Sequence, residues 1–571
     1  MRKTKVVLAK VLTAAMVISS FAGVQGITSE AAAKPKLSKK SVSITVGKTK
    51  KITVKNAKKY KVSWKMKSKK IASFKKSGKY AVKVTAKKAG KTTLTATIKK
   101  GKKTKKLVCK ITVKKNSPKV TKTPVNTPTT SPSNVPKTTE VPTVKPTATA
   151  TAEPQDTTPA MKEIFKGVID NVGTCLTYNQ TWNNRKEMQD VSTMKFVDKN
   201  FNSFTLENEM KPDSMLNKHN MISVADAKAK GYVISDDYKE SEVPELTLET
   251  IDGVLAIAKQ HNIRMRAHTL MWHQQTPTWF FKKNYDDNEA VVDEATMNAR
   301  LEFFVRTIMR HTMQKEKELT GEVGSIVYAW DVLNEYIHRS NAAAATTWVS
   351  VYGDMGLKPT YVKAAFEYAY DELKKENVQD KVTLFYNDYD TYFSVDDELA
   401  LISYINEGED AKICGGIGMQ SHVDIKRPTL EEYGNALKAF INAGLEVQIT
   451  ELDITINFDT DETDGRTPTY AYKNEKETDA DQAAFTKDFI KQIVDIQKNL
   501  QKNRDKNKSP KGITGITVWG ISDQTSWRGS CKPLFFTRKN VRVKDETTGK
   551  YKTVYTYVPK KSYEAMIEAL K

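Results

Sequence analysis

Two kinds of hydrophobic patterning divide the chain. Between Lys36 and Lys115, apolar and polar residues alternate with period two. Ser41–Val46, Lys51–Val54, Val62–Trp64, Tyr80–Val84, Thr93–Ile98 and Leu107–Val113 each put apolar side chains on one face and Lys, Ser or Thr on the other. Gly47, Gly78, Gly90 and Gly101 fall between the runs. Short alternating runs at about ten-residue spacing predict a small all-β sandwich. After Met161 the pattern changes. Apolar runs at Gly167–Leu176, Phe201–Leu206, Ile263–His268, Ser325–Val332, Lys381–Tyr386, Gly415–Met419, Glu446–Thr450 and Gly515–Trp519 read as buried strands. Amphipathic stretches such as Leu248–Gln260, Met297–Thr312, Tyr361–Lys375 and Asp481–Gln497 lie between them. Eight buried strands alternating with helices predict an α/β fold, a (β/α)₈ TIM barrel, over residues 161–571.

The two patterned regions are separated by residues 116–159, which hold nine of the chain's 19 prolines among Thr, Ser and Val. Such a segment buries too little apolar surface to offset its ordering entropy, and reads as an extended linker with hydroxyls open to glycosylation. At the N-terminus, Arg2, Lys3 and Lys5 precede the mostly apolar Val6–Phe21 and the small residues Ala31–Ala33. Residues 1–33 therefore read as an export signal, implying a secreted protein, extracellular or held at the cell surface. A length of 571 residues agrees with several domains.

Charge sharpens this division. The formal net charge is +25, yet no Asp or Glu occurs from Ala31 to Thr139, where Lys34 to Lys119 include 32 lysines. After Met161 there are 53 basic and 63 acidic residues, so that part is mildly acidic. The lysine-rich sandwich (36–115) reads either as a solvated spacer or, the favoured reading, as a surface for a polyanion such as an anionic cell-wall polymer or an acidic polysaccharide. No nucleic-acid partner is expected, and a monomer is. The four cysteines, Cys109, Cys175, Cys414 and Cys531, lack metal or redox spacing and read as small buried hydrophobes.

In a barrel of this kind, chemistry sits where strands end at their C-terminal side. The strand ends present Glu207-Asn208 with Lys211, His268 with Trp272-His273-Gln274, Asn334-Glu335, Tyr386-Asn387-Asp388, Gln420-Ser421-His422, Glu451-Leu452-Asp453, and Trp519 with Trp527 in the following loop. Amides, carboxylates and a lysine suit sugar hydroxyls, and indoles suit the apolar face of a pyranose. Two glutamates at one barrel mouth suit glycoside hydrolysis. There is no Gly-rich phosphate cradle and no His/Cys metal spacing, so no metal or cofactor is expected.

These stretches, as they stand, resemble glycoside hydrolase family 10, the barrel xylanases: Thr-Leu-Glu-Asn-Glu-Met-Lys-Pro-Asp (205–213), His-Thr-Leu-Met-Trp-His-Gln-Gln-Thr-Pro-Thr-Trp (268–279), Trp-Asp-Val-Leu-Asn-Glu (330–335), Phe-Tyr-Asn-Asp-Tyr (385–389), Gly-Met-Gln-Ser-His (418–422), Ile-Thr-Glu-Leu-Asp (449–453) and Val-Trp-Gly-Ile-Ser-Asp (518–523) with Ser-Trp (526–527). The resemblance implies an endo-1,4-β-xylanase acting on xylan or xylo-oligosaccharides with retention of configuration, its carboxyl groups about 5–5.5 Å apart. It implies Glu335 as acid/base and Glu451 as nucleophile. Asn334 would hold the 2-hydroxyl of the sugar attacked, and His422 and His268 would bond around the nucleophile and that sugar. Glu207, Asn208, Lys211 and Gln274 would bind the next sugar, and Trp272, Trp519 and Trp527 would wall the cleft. Tyr386, Asn387 and Gln420 would face the centre or the leaving group, with Asp453 in support. The 36–115 segment, through Trp64, Ile71-Ala-Ser-Phe and Ala89-Gly-Lys-Thr-Thr-Leu-Thr-Ala, resembles bacterial immunoglobulin-like domains of group 2.

Two departures stand out. A polar stretch from Lys218 to Glu245 occupies the place of a short aromatic link and reads as an insertion near the donor end of the cleft, and Asp390 stands where the family often has Asn. A retaining β-1,4-glucanase and a non-catalytic xylan-binding protein are the rival readings.

Overall fold

The computed structural model describes residues 35–39, 41–57, 60–100, 103–114, 158–180, 185–216, 219–339, 345–459, 471–472, 477–503, 511–544 and 551–571. The export signal and nearly all of the linker expected from the sequence lie outside these residues. The chain divides into two compact units, Met1–Thr149 and Ala150–Lys571.

The first unit is all-β, as its alternation predicts. One four-stranded sheet runs Lys36–Leu37, Thr49–Lys55, Ala81–Ala86, Ala72–Gly78, and the other Ser41–Thr45, Lys103–Lys114, Gly90–Lys100, Lys61–Met66. Ile44, Ile52, Met66, Val82, Val84, Leu94, Cys109 and Ile111 form a core, with Trp64, Ile71 and Phe74 against it. Lys51, Lys75 and Lys83 are exposed. Lys51 pairs with Lys83, and Lys83 with Lys75, so three ammonium groups stand in a row across three strands.

In the second unit eight parallel strands close into a barrel: Asn171–Leu176, Ser203–Leu206, Arg264–Trp272, Val327–Asn334, Thr383–Asp388, Gly416–Met419, Glu446–Thr455 and Gly512–Val518. The sixth strand pairs with the seventh, and the eighth with the first. Helices Val191–Asn200, Leu248–His261, Glu294–Thr320, Thr360–Glu376, Val395–Ile405, Leu430–Asn442, Asp479–Lys502 and Lys561–Ala569 follow the strands in turn. Their starts are set by local chemistry. Asp293 accepts from the Thr296 amide to open the third helix, and Thr429 and Thr478 form capping boxes with Glu432 and Asp481. A hairpin the pattern did not announce, Phe536–Lys544 with Tyr551–Pro559, precedes the last helix and packs Phe536 and Tyr557 on Phe196.

The barrel interior carries charge as well as aliphatic side chains. Arg266, fully buried, forms an ion pair with Asp331, donates to Gln448 Oε1 at 2.9 Å, and lies over the Phe385 ring at 4.2 Å. A buried charge persists only when paired in this way. Gly418 makes room for it: a Cβ there would meet Asn387 Oδ1 at 2.3 Å and Arg266 Nη2 at 2.7 Å.

The described residues of the polar 218–245 stretch carry secondary structure of their own. Met221–Ser223 pairs antiparallel with Glu242–Pro244 around the helix Val224–Ala229. Its polar residues are docking groups. Arg300 of the third helix grips Glu240, Thr307 accepts from the Val233 amide at 3.0 Å, and the Tyr238 and Tyr285 hydroxyls share a hydrogen bond. All four cysteines are free and buried, which fits their reading as small hydrophobes. Among the described residues no helix is long and apolar enough to cross a membrane.

Candidate active site

Glu335 directly follows the fourth strand and Glu451 lies within the C-terminal half of the seventh, and both are buried. Just past the fourth strand the backbone breaks from its extended path. Glu335 has φ +57, a left-handed conformation that costs a non-glycine residue about 1 kcal/mol or more and persists only where its surroundings hold it. Its amide donates to Asn387 O at 2.9 Å on the neighbouring strand. Ser421, at φ +61, makes the same kind of turn between Gln420 and His422.

Amides connect the two carboxylates. Asn387 Nδ2 donates to Glu451 Oε1 at 3.0 Å and to Asn334 Oδ1 at 2.9 Å. Gln420 Nε2 donates to Asn334 Oδ1 at 3.2 Å and to Glu335 Oε1 at 3.1 Å. Glu335 Oε2 accepts from Trp272 Nε1 at 2.8 Å and Gln274 Nε2 at 3.2 Å. Thr450 fixes the Asn387 amide by donating to its Oδ1 at 2.6 Å.

Two Arg–Asp–His chains converge on this centre. In one, Arg528 and Trp527 donate to Asp453, whose Oδ2 lies 2.8 Å from His422 Nδ1, while His422 Nε2 lies 3.2 Å from Glu451 Oε2. In the other, Arg266 pairs with Asp331, whose second oxygen lies 3.0 Å from His268 Nδ1. Each aspartate fixes the orientation of its imidazole. Trp519 meets both imidazoles edge-on, with centroids at 5.9 and 6.4 Å.

This setting pushes the two glutamates in opposite directions. Burial, then the negative charges of Asp388 and Glu451, push Glu335 up to about 7, against the pull of its donors. Burial also acts to raise Glu451, but the His422 hydrogen bond, the nearby imidazoles and Lys211 outweigh it and hold Glu451 down at about 2. His422 is the reciprocal case: burial lowers it, but Asp453 and Glu451 together carry it up to about 9. At neutral pH the site therefore holds one ionised glutamate and one close to its titration point, the pairing acid/base chemistry needs.

Lys211 lies 4.7 Å over the Trp272 ring and 3.4 Å from Asn208 Oδ1. Glu207 is gripped by Arg185 at 2.6 Å and Gln180 at 3.1 Å. Burial raises its carboxyl even so, with Arg185 opposing. Gln274 donates to Glu335. Trp527 is 44% exposed, the most open of the three cleft indoles. Tyr386 and Asn387 are both fully buried: the Tyr386 hydroxyl bonds Asp388, and the Asn387 amide bonds Glu451 and Asn334 and accepts from Thr450.

Sequence reasoning assigned no role to Arg185, Arg266, Asp331, Thr450 or Arg528. Arg266 left a signal, a charged residue in the same phase as His268 within a buried strand. Asp331 left another, within the motif that ends in Glu335.

The sequence profile described as Glycosyl hydrolase family 10 matches residues 160–555. Endo-1,4-beta-xylanase A of Butyrivibrio fibrisolvens is 40% identical over 356 residues, which span 62% of this chain and 76% of that protein. Endo-1,4-beta-xylanase B of the same organism is 32% identical over 350 residues, which span 60% of this chain but 47% of that protein. A family 10 endoxylanase retrieved from sugarcane soil metagenome shares the fold, with a TM-score of 0.50 at 19% identity over 72% of this chain and 100% of the other. The motifs, the barrel and the matched profile agree, and the chain belongs to glycosyl hydrolase family 10.

Proposed function

We propose that the protein is an endo-1,4-β-xylanase that cleaves internal xylosidic bonds with retention of configuration. The observation carrying this reading is the opposed setting of two buried glutamates at one barrel mouth, Glu335 pushed up to about 7 and Glu451 held at about 2. Ionised Glu451 attacks the anomeric carbon as Glu335 gives its proton to the departing glycosidic oxygen. The resulting ester removes the Glu451 charge, so Glu335 becomes more acidic. It then takes a proton from the incoming water, which displaces Glu451 and restores both groups. In this reading Asn334 holds the 2-hydroxyl, Glu207, Asn208, Lys211 and Gln274 bind the next sugar, and the three indoles wall the cleft.

The test is hydrolysis of xylan, carboxymethyl-cellulose and mannan by the full chain, with the product anomer followed by NMR. Short xylo-oligosaccharides released first as the β-anomer are expected. Release of the α-anomer ends the retaining mechanism, and cleavage of cellulose or mannan alone ends the substrate assignment. Because Glu335 must be protonated and Glu451 ionised, kcat/KM should fall below about pH 2 and above about pH 7, the values those groups take.

The first unit we read as an exported, immunoglobulin-like module that holds the enzyme to an acidic polymer such as glucuronate-bearing xylan. Like charges directly opposite on a sheet repel, and the sequence around the Lys51–Lys83–Lys75 row holds no Asp or Glu from Ala31 to Thr139. A polyanion would supply the missing countercharge. Retention of the full chain on glucuronoxylan should fall at least about tenfold between about 0.1 and 1 M salt, as the screening length shrinks from about 10 to 3 Å. Retention indifferent to salt removes this reading.

A further inference from the structure

Behind Glu335 lies a buried polar cluster that the reaction above does not use. Asp388, at the end of the fifth strand, and Glu398, on helix Val395–Ile405, are both fully buried, and His338 borders them. Ligating atoms of the three lie within 4.8 Å of one another. The donors around the two carboxyls are unequally shared. Asp388 Oδ1 accepts from the Tyr389 amide at 2.8 Å and faces His338 Nδ1 at 3.1 Å. Its Oδ2 accepts from the Ile337 amide at 3.2 Å and from the Tyr386 hydroxyl. Among the described residues Glu398 accepts from Ser394 Oγ at 3.0 Å on Oε1 and feels the Tyr386 hydroxyl that is turned onto Asp388, while its Oε2 has no hydrogen-bond partner.

Two carboxylates this close in a dry site do not both ionise, so the pair keeps one proton. The anion belongs where the donors are, on Asp388, and the proton on Glu398. The direction of the Glu398 carboxyl agrees: burial, then the Asp388 charge, raise it well above its ordinary value. The same spacing would suit a divalent cation. However, His338 Nδ1 is turned onto Asp388 at hydrogen-bond length, and amide and phenol donors already occupy both Asp388 oxygens. A shared proton fits these contacts and a cation does not.

Asp388 also holds the turn that carries Glu335. Ile337 and His338, two and three residues beyond it, both bond Asp388, while Tyr389 donates to His338 O at 3.2 Å and packs on its ring at 4.5 Å. The left-handed Glu335 is thus fixed on one side by Asn387 O and on the other by Asp388.

We propose that Asp388 is a positioning residue for Glu335: it latches the Glu335–His338 turn and, as the ionised member of a pair with neutral Glu398, keeps a negative charge behind the acid/base. This rests on the reading of Glu335 as acid/base. The charge acts in a defined direction, since Asp388 is the largest charged contributor to the upward push on Glu335, ahead of Glu451. The other titratable groups around the pair are His338, Tyr386, Tyr389, Asp390 and Asp397, and none changes between the variants below.

The test compares Asp388→Asn with Glu398→Gln in the full chain, by pH profiles of kcat/KM on xylo-oligosaccharide. Asp388→Asn should move the basic limb down by about 1 pH unit and lower kcat by about 10–100-fold. Glu398→Gln replaces a neutral group by a neutral group and should leave that limb in place. Infrared spectra taken above the basic limb should show a protonated-carboxyl C=O band that Glu398→Gln removes, a readout that stands even if Asp388→Asn does not fold. A limb that moves in Glu398→Gln, a limb unmoved in a folded Asp388→Asn, or a band that survives Glu398→Gln each overturns the proposal, as does a stoichiometric divalent metal in the purified protein. If Glu335→Gln keeps wild-type activity, the acid/base reading itself has failed, and the infrared result then still decides where the proton lies.

Discussion

Replacing Glu451 by glutamine lowers kcat on xylan by about 10⁵-fold, the scale on which removal of a covalent nucleophile is felt. The amide is nearly isosteric and still accepts the Asn387 hydrogen bond, so the loss is chemical rather than steric. Substrate affinity should stay within a few-fold of wild type, which calorimetry with xylohexaose would measure. Glutamine also takes the negative charge from beside His422, which retains Asp453 as its partner. A complementary variant, Glu451→Gly, opens the space the carboxylate filled. Azide supplied there should attack from the same side as Glu451 and, with no second displacement, leave an α-glycosyl azide. Two results would count against the nucleophile: residual activity within tenfold of wild type in Glu451→Gln, or a β-configured azide product.

The strand ends were legible in the sequence because barrel chemistry and strand termini coincide, so locating one located the other. Strand limits were less so, and for a physical reason. The third, fourth and seventh strands continue to Trp272, Asn334 and Thr455, past their predicted ends. Each carries a register shift there, between His268 and Met271, Asp331 and Leu333, and Ile449 and Leu452. An irregularity of this kind breaks the alternation on which pattern reading depends, while turning side chains toward the mouth. The first strand begins later than expected, at Asn171, because Gly167 holds a turn at φ +78. Helix Glu294–Thr320 outruns its predicted core because its last turns, rich in Lys and Glu, carry little amphipathic signal. A motif fixes which residue stands at a strand end but not what its side chain bonds, and here the buried Tyr386 hydroxyl meets Asp388. Arg266 and Asp331 escaped notice because they are buried within their strands, where they reach the site through His268.

Replacing Glu335 by glutamine should separate the two halves of the reaction. On xylan, whose departing hydroxyl needs a proton, kcat should fall by about 10³-fold, within the range general acid–base catalysis supplies. On an aryl xyloside with a dinitrophenolate leaving group the first step needs no acid, so glycosylation stays fast. Deglycosylation lacks its base and slows, and stopped-flow should record a burst of about one phenolate per enzyme. The basic limb of the pH profile should vanish with the carboxyl. Stability gives an independent reading with a definite sign. Burial raises Glu335 from about 4.5 to about 7, so the folded state prefers it protonated. The stability this contributes is fully present below about pH 4.5 and is lost as pH rises through about 7. Glutamine has no proton to lose, so the melting temperature of Glu335→Gln relative to wild type should climb between pH 5 and pH 8. The gain is on the order of 1–3 kcal/mol. Equal loss of rate on both substrates, no burst and a flat stability difference would together show that Glu335 is not the group that gives and takes the proton.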